Sequence, residues 1–188
     1  MKSGYIFLPI IILAVLITSG CGSVDLSLIN QVKRFEPEWM NLSETVSFVD
    51  RNLRITHQRY DADFKEIDPF ISDPNSNERN SLFGLRSQYM NMVKDRDKLQ
   101  ETFDLQKDEF IQTVAEFNEW QNKLMKKKLD QDKARGELVE FQKTHEKLAS
   151  EINKTQDELI RNIESHNSLL RRITSTLKLY TNYDINYR

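Results

Sequence analysis

The side chains of this sequence with the widest chemical repertoire are three histidines, His57, His145 and His166, and one cysteine, Cys21. Their spacing contains none of the close pairs that ligate a structural metal, and a lone thiol cannot close a disulfide within the chain. Asp73, Asn75 and Asn77 imitate the opening of a calcium loop, whose oxygens must alternate to surround the ion. The imitation stops at Glu78, where the turn glycine belongs, and at Gly84, where the bidentate carboxylate belongs. These residues are expected to cap and turn the chain. Asp61, Asp63, Glu66 and Asp68 form an acidic cluster that reads as a solvated helix face. There is no glycine-rich phosphate loop, nucleotide fingerprint or histidine-based nucleophile arrangement, so neither catalysis nor a metal, cofactor or small-molecule substrate is expected.

Cys21 is different because of what precedes it. Lys2 supplies a short positive start, Tyr5 to Ile17 an apolar stretch, and Thr18-Ser19-Gly20 the small residues that a processing peptidase needs before its cut. Over residues 1 to about 22 the sequence resembles a bacterial lipoprotein precursor, with Thr18 where that family usually has Leu. The resemblance implies cleavage after Gly20, a diacylglyceryl thioether on Cys21 and acylation of the new amino terminus. It also implies a lipid-anchored protein of the bacterial cell envelope. Gly22, in place of an Asp, implies the outer membrane facing the periplasm if the cell has two membranes. The competing expectation is an uncleaved span, but residues 4–20 reach only about 26 Å as a helix, short of a hydrocarbon core of about 30 Å.

Without residues 1–20 the chain keeps 168 residues, enough for one domain. Lys+Arg (27) and Asp+Glu (29) nearly balance, which argues against a nucleic-acid partner, since phosphate recruitment needs a basic face. After Cys21 only Gly22, Gly84 and Gly136 and Pro37, Pro69 and Pro74 could break a helix. So few breakers predict an all-α chain.

The helices announce themselves through a 3,4 alternation of apolar residues, the spacing of a coiled-coil seam. From Leu82 to Tyr187 it runs without a phase slip, and 21 of its 31 positions are apolar against 17 of the other 75 residues. An earlier seam runs Leu28, Val32, Phe35, Trp39, Leu42, Val46, Val49, Leu53, Thr56, Tyr60, Asp63, Ile67. Pro37 cuts across it, and proline costs about 3 kcal/mol inside a helix, so the first helix is expected over about 37–67, with 21–36 as the lipidated tether. Residues 68–77, with two Asp-Pro pairs, predict a loop. The α-helical coiled-coil domain then covers 37–188, with one long helix or two over about 78–182. A hairpin about the loop would set Tyr60 near Tyr89, Val46 near Phe103 and Trp39 near Phe110.

Two courses are open beyond Trp120, where the first helix runs out. The unbroken phase favours one continuous helix, so the expected fold is an antiparallel hairpin continuing into a long coiled-coil helix. The alternative is a bend near 128–136 that completes an elongated three-helix bundle, which the wider stripe of Ala149, Ile163, Leu170 and Leu177 supports. His145 and His166 fall on the seam three heptads apart, where they would fix register or respond to pH. At the C-terminus Tyr180, Tyr183, Ile185 and Tyr187 suggest a partner-docking segment. The expected function is a structural, scaffold or assembly role at the membrane. Its partner would be a second copy or another envelope protein, met through the helical seam. The alternative is a periplasmic chaperone, adaptor or cell-wall-binding protein that uses a groove between helices.

Overall fold

The computed structural model describes residues 25–71, 79–126 and 128–181. They form three helices, α1 (Leu26–Ile71), α2 (Arg79–Met125) and α3 (Gln131–Thr181), and the protein is all-α. With 46, 47 and 51 residues, the helices run about 70 to 77 Å each. Every pair of helices is in contact. Glu36 accepts a hydrogen bond from Gln121, Trp39 packs on Phe110 with ring centroids 6.1 Å apart, and the Tyr89 hydroxyl donates to the Tyr60 carbonyl, so α1 and α2 are antiparallel. Phe35 meets His145 and Tyr60 meets His166, so α3 runs parallel to α1. The result is an up-down-up bundle.

The chain therefore takes the three-helix course, and the continuous helix over 78–182 is corrected. After Met125 the Lys128 amide donates to the Lys123 carbonyl at 2.9 Å, closing the last turn of α2. Asp130 then caps α3: its side chain accepts from the amides of Asp132 and Lys133, both at 3.1 Å. Gly136, near which the bend was expected, lies inside α3. Seam phase carries across the turn because the turn happens to restore it. What decides the course is burial: Phe117 packs edge-on against Phe141 at 5.2 Å, and the Trp120 indole donates to Glu137 at 2.9 Å. A continuous helix would part Phe117 and Trp120 from Phe141 and Glu137 and leave the surface they share in water.

The start of α1 is corrected as well. Asp25 caps it through its side chain on the Ser27 amide at 2.8 Å, and Pro37 and Pro69 both lie within the helix. Leu28, Ile29, Val32 and Phe35 are all buried. At about 1.5 to 3 kcal/mol for each large apolar side chain, that burial outweighs the cost of Pro37. The helix also runs to Ile71, into the segment expected to be loop, and the rest of that segment, with Asp73, Asn75 and Asn77, lies outside the described residues.

The seam predicts the core closely. Of the twelve positions in α1, eleven are buried and Asp63 is half-buried. Most described seam positions of α2 and α3 line the same interior, Gln131 at the start of α3 being exposed, and Val114, Thr174 and Leu177 join them from outside the 3,4 pattern. The seam that could have met another chain is thus filled by the other two helices of the same chain. The interior divides into a larger apolar cluster between Leu28 and Leu159 and a smaller one around Ile67, Leu85, Ile173 and Leu177.

Candidate functional site

Where the apolar core divides, polar side chains from all three helices meet. Thr56, Tyr60 and Asp63 come from α1, Tyr89 and Arg96 from α2, and Asn162 and His166 from α3, all at or beside seam positions. Helical spacing places them there: each is one or two turns from the next on its own helix, on the face turned inward. His166 is fully buried, and its ring stacks on Tyr60 with centroids 3.8 Å apart and 14° between planes.

Hydrogen bonds order this layer. Tyr89 has one hydroxyl proton and donates it to the Tyr60 carbonyl at 2.8 Å. His166 Nε2 lies 3.2 Å from the same hydroxyl oxygen, so Nε2 must carry the proton and donate. The neutral imidazole is therefore held in its Nε2–H tautomer, with the Asp63 carboxylate 3.3 Å from the same nitrogen. Tyr60 donates to Asn162 Oδ1 at 2.8 Å, and Asn162 Nδ2 donates to the Met92 carbonyl at 3.3 Å. The buried Arg96 guanidinium pairs with Asp97 and lies 5.6 Å from the centre of the Tyr60 ring. Sliding any helix by one residue would break several of these bonds while burying their partners, so the layer fixes register.

Burial, helped by the nearby Arg59, pushes the His166 pKa down to about 4. It also pushes Asp63 up, and Tyr60 and Tyr89 well above the ordinary phenol range. A base whose folded pKa lies below its unfolded value of 6.5 loses stability as pH falls, because the unfolded chain binds the proton first. Between pH 7 and pH 5 His166 is expected to cost the fold about 2 kcal/mol, opposed by Asp63, whose raised pKa favours the folded state on acidification. Urea unfolding at the two pH values checks this. His166→Leu should flatten the dependence and Asp63→Asn should steepen it, and equal slopes in all three chains would reject the assignment.

The second seam histidine sits differently. His145 is ringed by Phe35 and Trp39, edge-on at 5.3 and 4.9 Å, and neither of its ring nitrogens nor the Trp39 indole nitrogen has a hydrogen-bond partner among the described residues. Glu38 Oε2 is 3.9 Å from Nδ1. His57 lies on the surface beside Asp61 at 3.5 Å. The acidic cluster on α1 is distributed among ion pairs: Asp63 with Arg59 at 3.6 Å and Asp68 with Arg86 at 2.9 Å. Among the described residues no group of His, Cys, Asp and Glu side chains could hold a metal ion.

Sequence reasoning placed both histidines on the seam and missed the Tyr60–Tyr89–His166–Asn162 network. The signal was present, because Tyr60 and Tyr89 were paired by counting from the loop. Asn162 and His166 joined them only when α3 folded back. Cys21, Tyr183, Ile185 and Tyr187 lie outside the described residues, and Tyr180 is in α3 near its end. No described helix is long and apolar enough to cross a membrane. A shallow groove between α2 and α3, lined by Gln88, Met92, Glu164, Ser168 and Arg172, is bridged by Arg172 donating to Gln88 at 3.2 Å. No family model, curated protein or solved structure matches the chain.

Proposed function

We propose that this protein is a lipid-anchored lipoprotein of the bacterial cell envelope that acts as a rod-shaped spacer or scaffold, without catalysis. Cys21 carries the lipid, and the bundle projects from it. The observation that carries the reading is that all three helices spend their apolar seams on one another. Such a bundle is a stiff, closed body with polar flanks, suited to holding its two ends apart. Any assembly partner, another envelope protein in this reading, would be met at the exposed faces or at the ends. Tyr180, near the end of α3 that lies away from the start of α1, and Tyr183, Ile185 and Tyr187, which follow it in the sequence, are the docking segment of the proposal. A chaperone or cell-wall-binding role would call for an open apolar groove between helices, and the groove between α2 and α3 sets Gln88, Glu164 and Arg172 beside Met92 and Leu169.

Sedimentation of residues 22–188 together with small-angle scattering tests the rod. One monomeric species with a longest dimension of roughly 75 to 80 Å is expected. A compact particle, or one that swells on adding unfolded polypeptide, would move the reading to a client-binding protein.

A further inference from the structure

The bundle brings to one end three stretches that are far apart in the sequence: the capped start of α1 at Asp25, the turn after α2 and the first turn of α3. Arg135 pairs with Asp25 across this end. Residues 123–135 hold six basic and two acidic side chains, and their charges are unevenly matched. Lys123 pairs with Glu119 at 2.7 Å, Lys133 lies 3.8 Å from Glu137, and Arg135 has Asp25. Asp130 is turned onto the amides of α3. Lys126 and Lys128 are exposed at the turn, and neither pairs with a carboxylate among the described residues; Asp130 and Asp132 are the exposed acids nearest them in sequence.

Cys21 stands five residues before Leu26, and five residues span at most about 18 Å. A lipid on Cys21 therefore keeps this end of the bundle within about two Debye lengths of the headgroups at physiological salt. We infer that the turn between α2 and α3 rests on anionic phospholipid headgroups through Lys126 and Lys128, so that the bundle stands with this end on the membrane. The inference depends on Cys21 being the anchor. A dissolved anion is a poor occupant, because two flexible ammonium groups without converging amides or a guanidinium fork build no enclosed site. A charged surface held nearby by the anchor suits them, since the tether supplies a high local concentration of headgroups.

The lipidated chain, incorporated into vesicles of phosphatidylcholine alone or of phosphatidylcholine with phosphatidylglycerol, allows a direct test. Amine acylation of each lysine is followed by mass spectrometry, with exposed Lys154, well along α3, as the reference. Lys126 and Lys128 should react about fivefold more slowly on the anionic vesicles, with Lys154 unchanged, and salt at roughly 0.5 M should remove the protection. Equal rates on the two vesicle types overturn the docking and leave the anchor standing. Protection that extends to Lys154 shows a bundle lying along the surface and also overturns it. A chain that carries no acyl group overturns docking and anchor together.

Discussion

Replacing Cys21 by alanine is expected to abolish palmitate incorporation and to leave the precursor unprocessed at its amino terminus. The thiol is the only one in the chain, so no other side chain can accept the thioether. The effect should be all or none. Each acyl methylene buried in the bilayer is worth about 0.8 kcal/mol, so several chains hold a protein on its membrane where one gives only marginal binding. The experiment labels cells with palmitate and compares the wild-type and Cys21→Ala chains for label and for amino-terminal sequence. A wild-type chain that takes up no label and keeps residues 1–20 would replace the lipid anchor with an uncleaved span. The folded bundle should be indifferent to the change, because Cys21 precedes the cap of α1 at Asp25. Circular dichroism on both chains separates loss of the anchor from loss of the fold.

Phe103→Ala is expected to cost about 3 to 5 kcal/mol of folding stability, the usual range for deleting a buried aromatic ring from a packed core. Phe103 is 0% exposed and lies in the larger apolar cluster with Val46, Val49 and Leu53 of α1 and Leu148 and Ile152 of α3. Helices this long cannot close around the hole without moving along their whole contact, so collapse at the site is limited. Leu105, two residues away, is 74% exposed, and Leu105→Ala should stay within about 0.5 kcal/mol. Thermal unfolding of the two variants makes the comparison. The first should melt roughly 10 °C below the wild-type chain and the second within a degree or two of it. Similar melting points would mean that the seam is not the core of the monomer, and the rod would then have to be sought in an oligomer.

The two variants show where the sequence was legible. Phe103 and Leu105 are both apolar, and only the 3,4 alternation distinguishes them: Phe103 lies on the seam and Leu105 off it. That periodicity is a property of one helix and can be read without knowing its neighbours. Pairing across the hairpin was readable too, as Trp39 with Phe110 and Tyr60 with Tyr89 show, because a loop fixes the register of the two helices it joins. The proline rule misled at Pro37. It gives the cost of a missing amide and is silent on what the helix beyond it buries.

The candidate site was harder to read. His145 and His166 occupy equivalent seam positions three heptads apart, and nothing in the sequence separates them. One donates into a hydrogen-bonded network across three helices, and the other is enclosed by Phe35 and Trp39 with no hydrogen-bond partner among the described residues. The difference lies in which residues of α1 and α2 stand opposite each of them.

By itself the sequence determined the helical class and most of the residues that would be buried, since each follows from local pattern and composition. The tertiary structure decided that the third helix returns after α2, and with it which polar groups meet around His166 and which lysines stand at the end where α1 starts. Those outcomes turn on burial between segments distant in the chain. A straight helix and a folded one satisfy the same seam spacing, and only the aromatic surface covered when Phe117 and Trp120 meet Phe141 and Glu137 separates them.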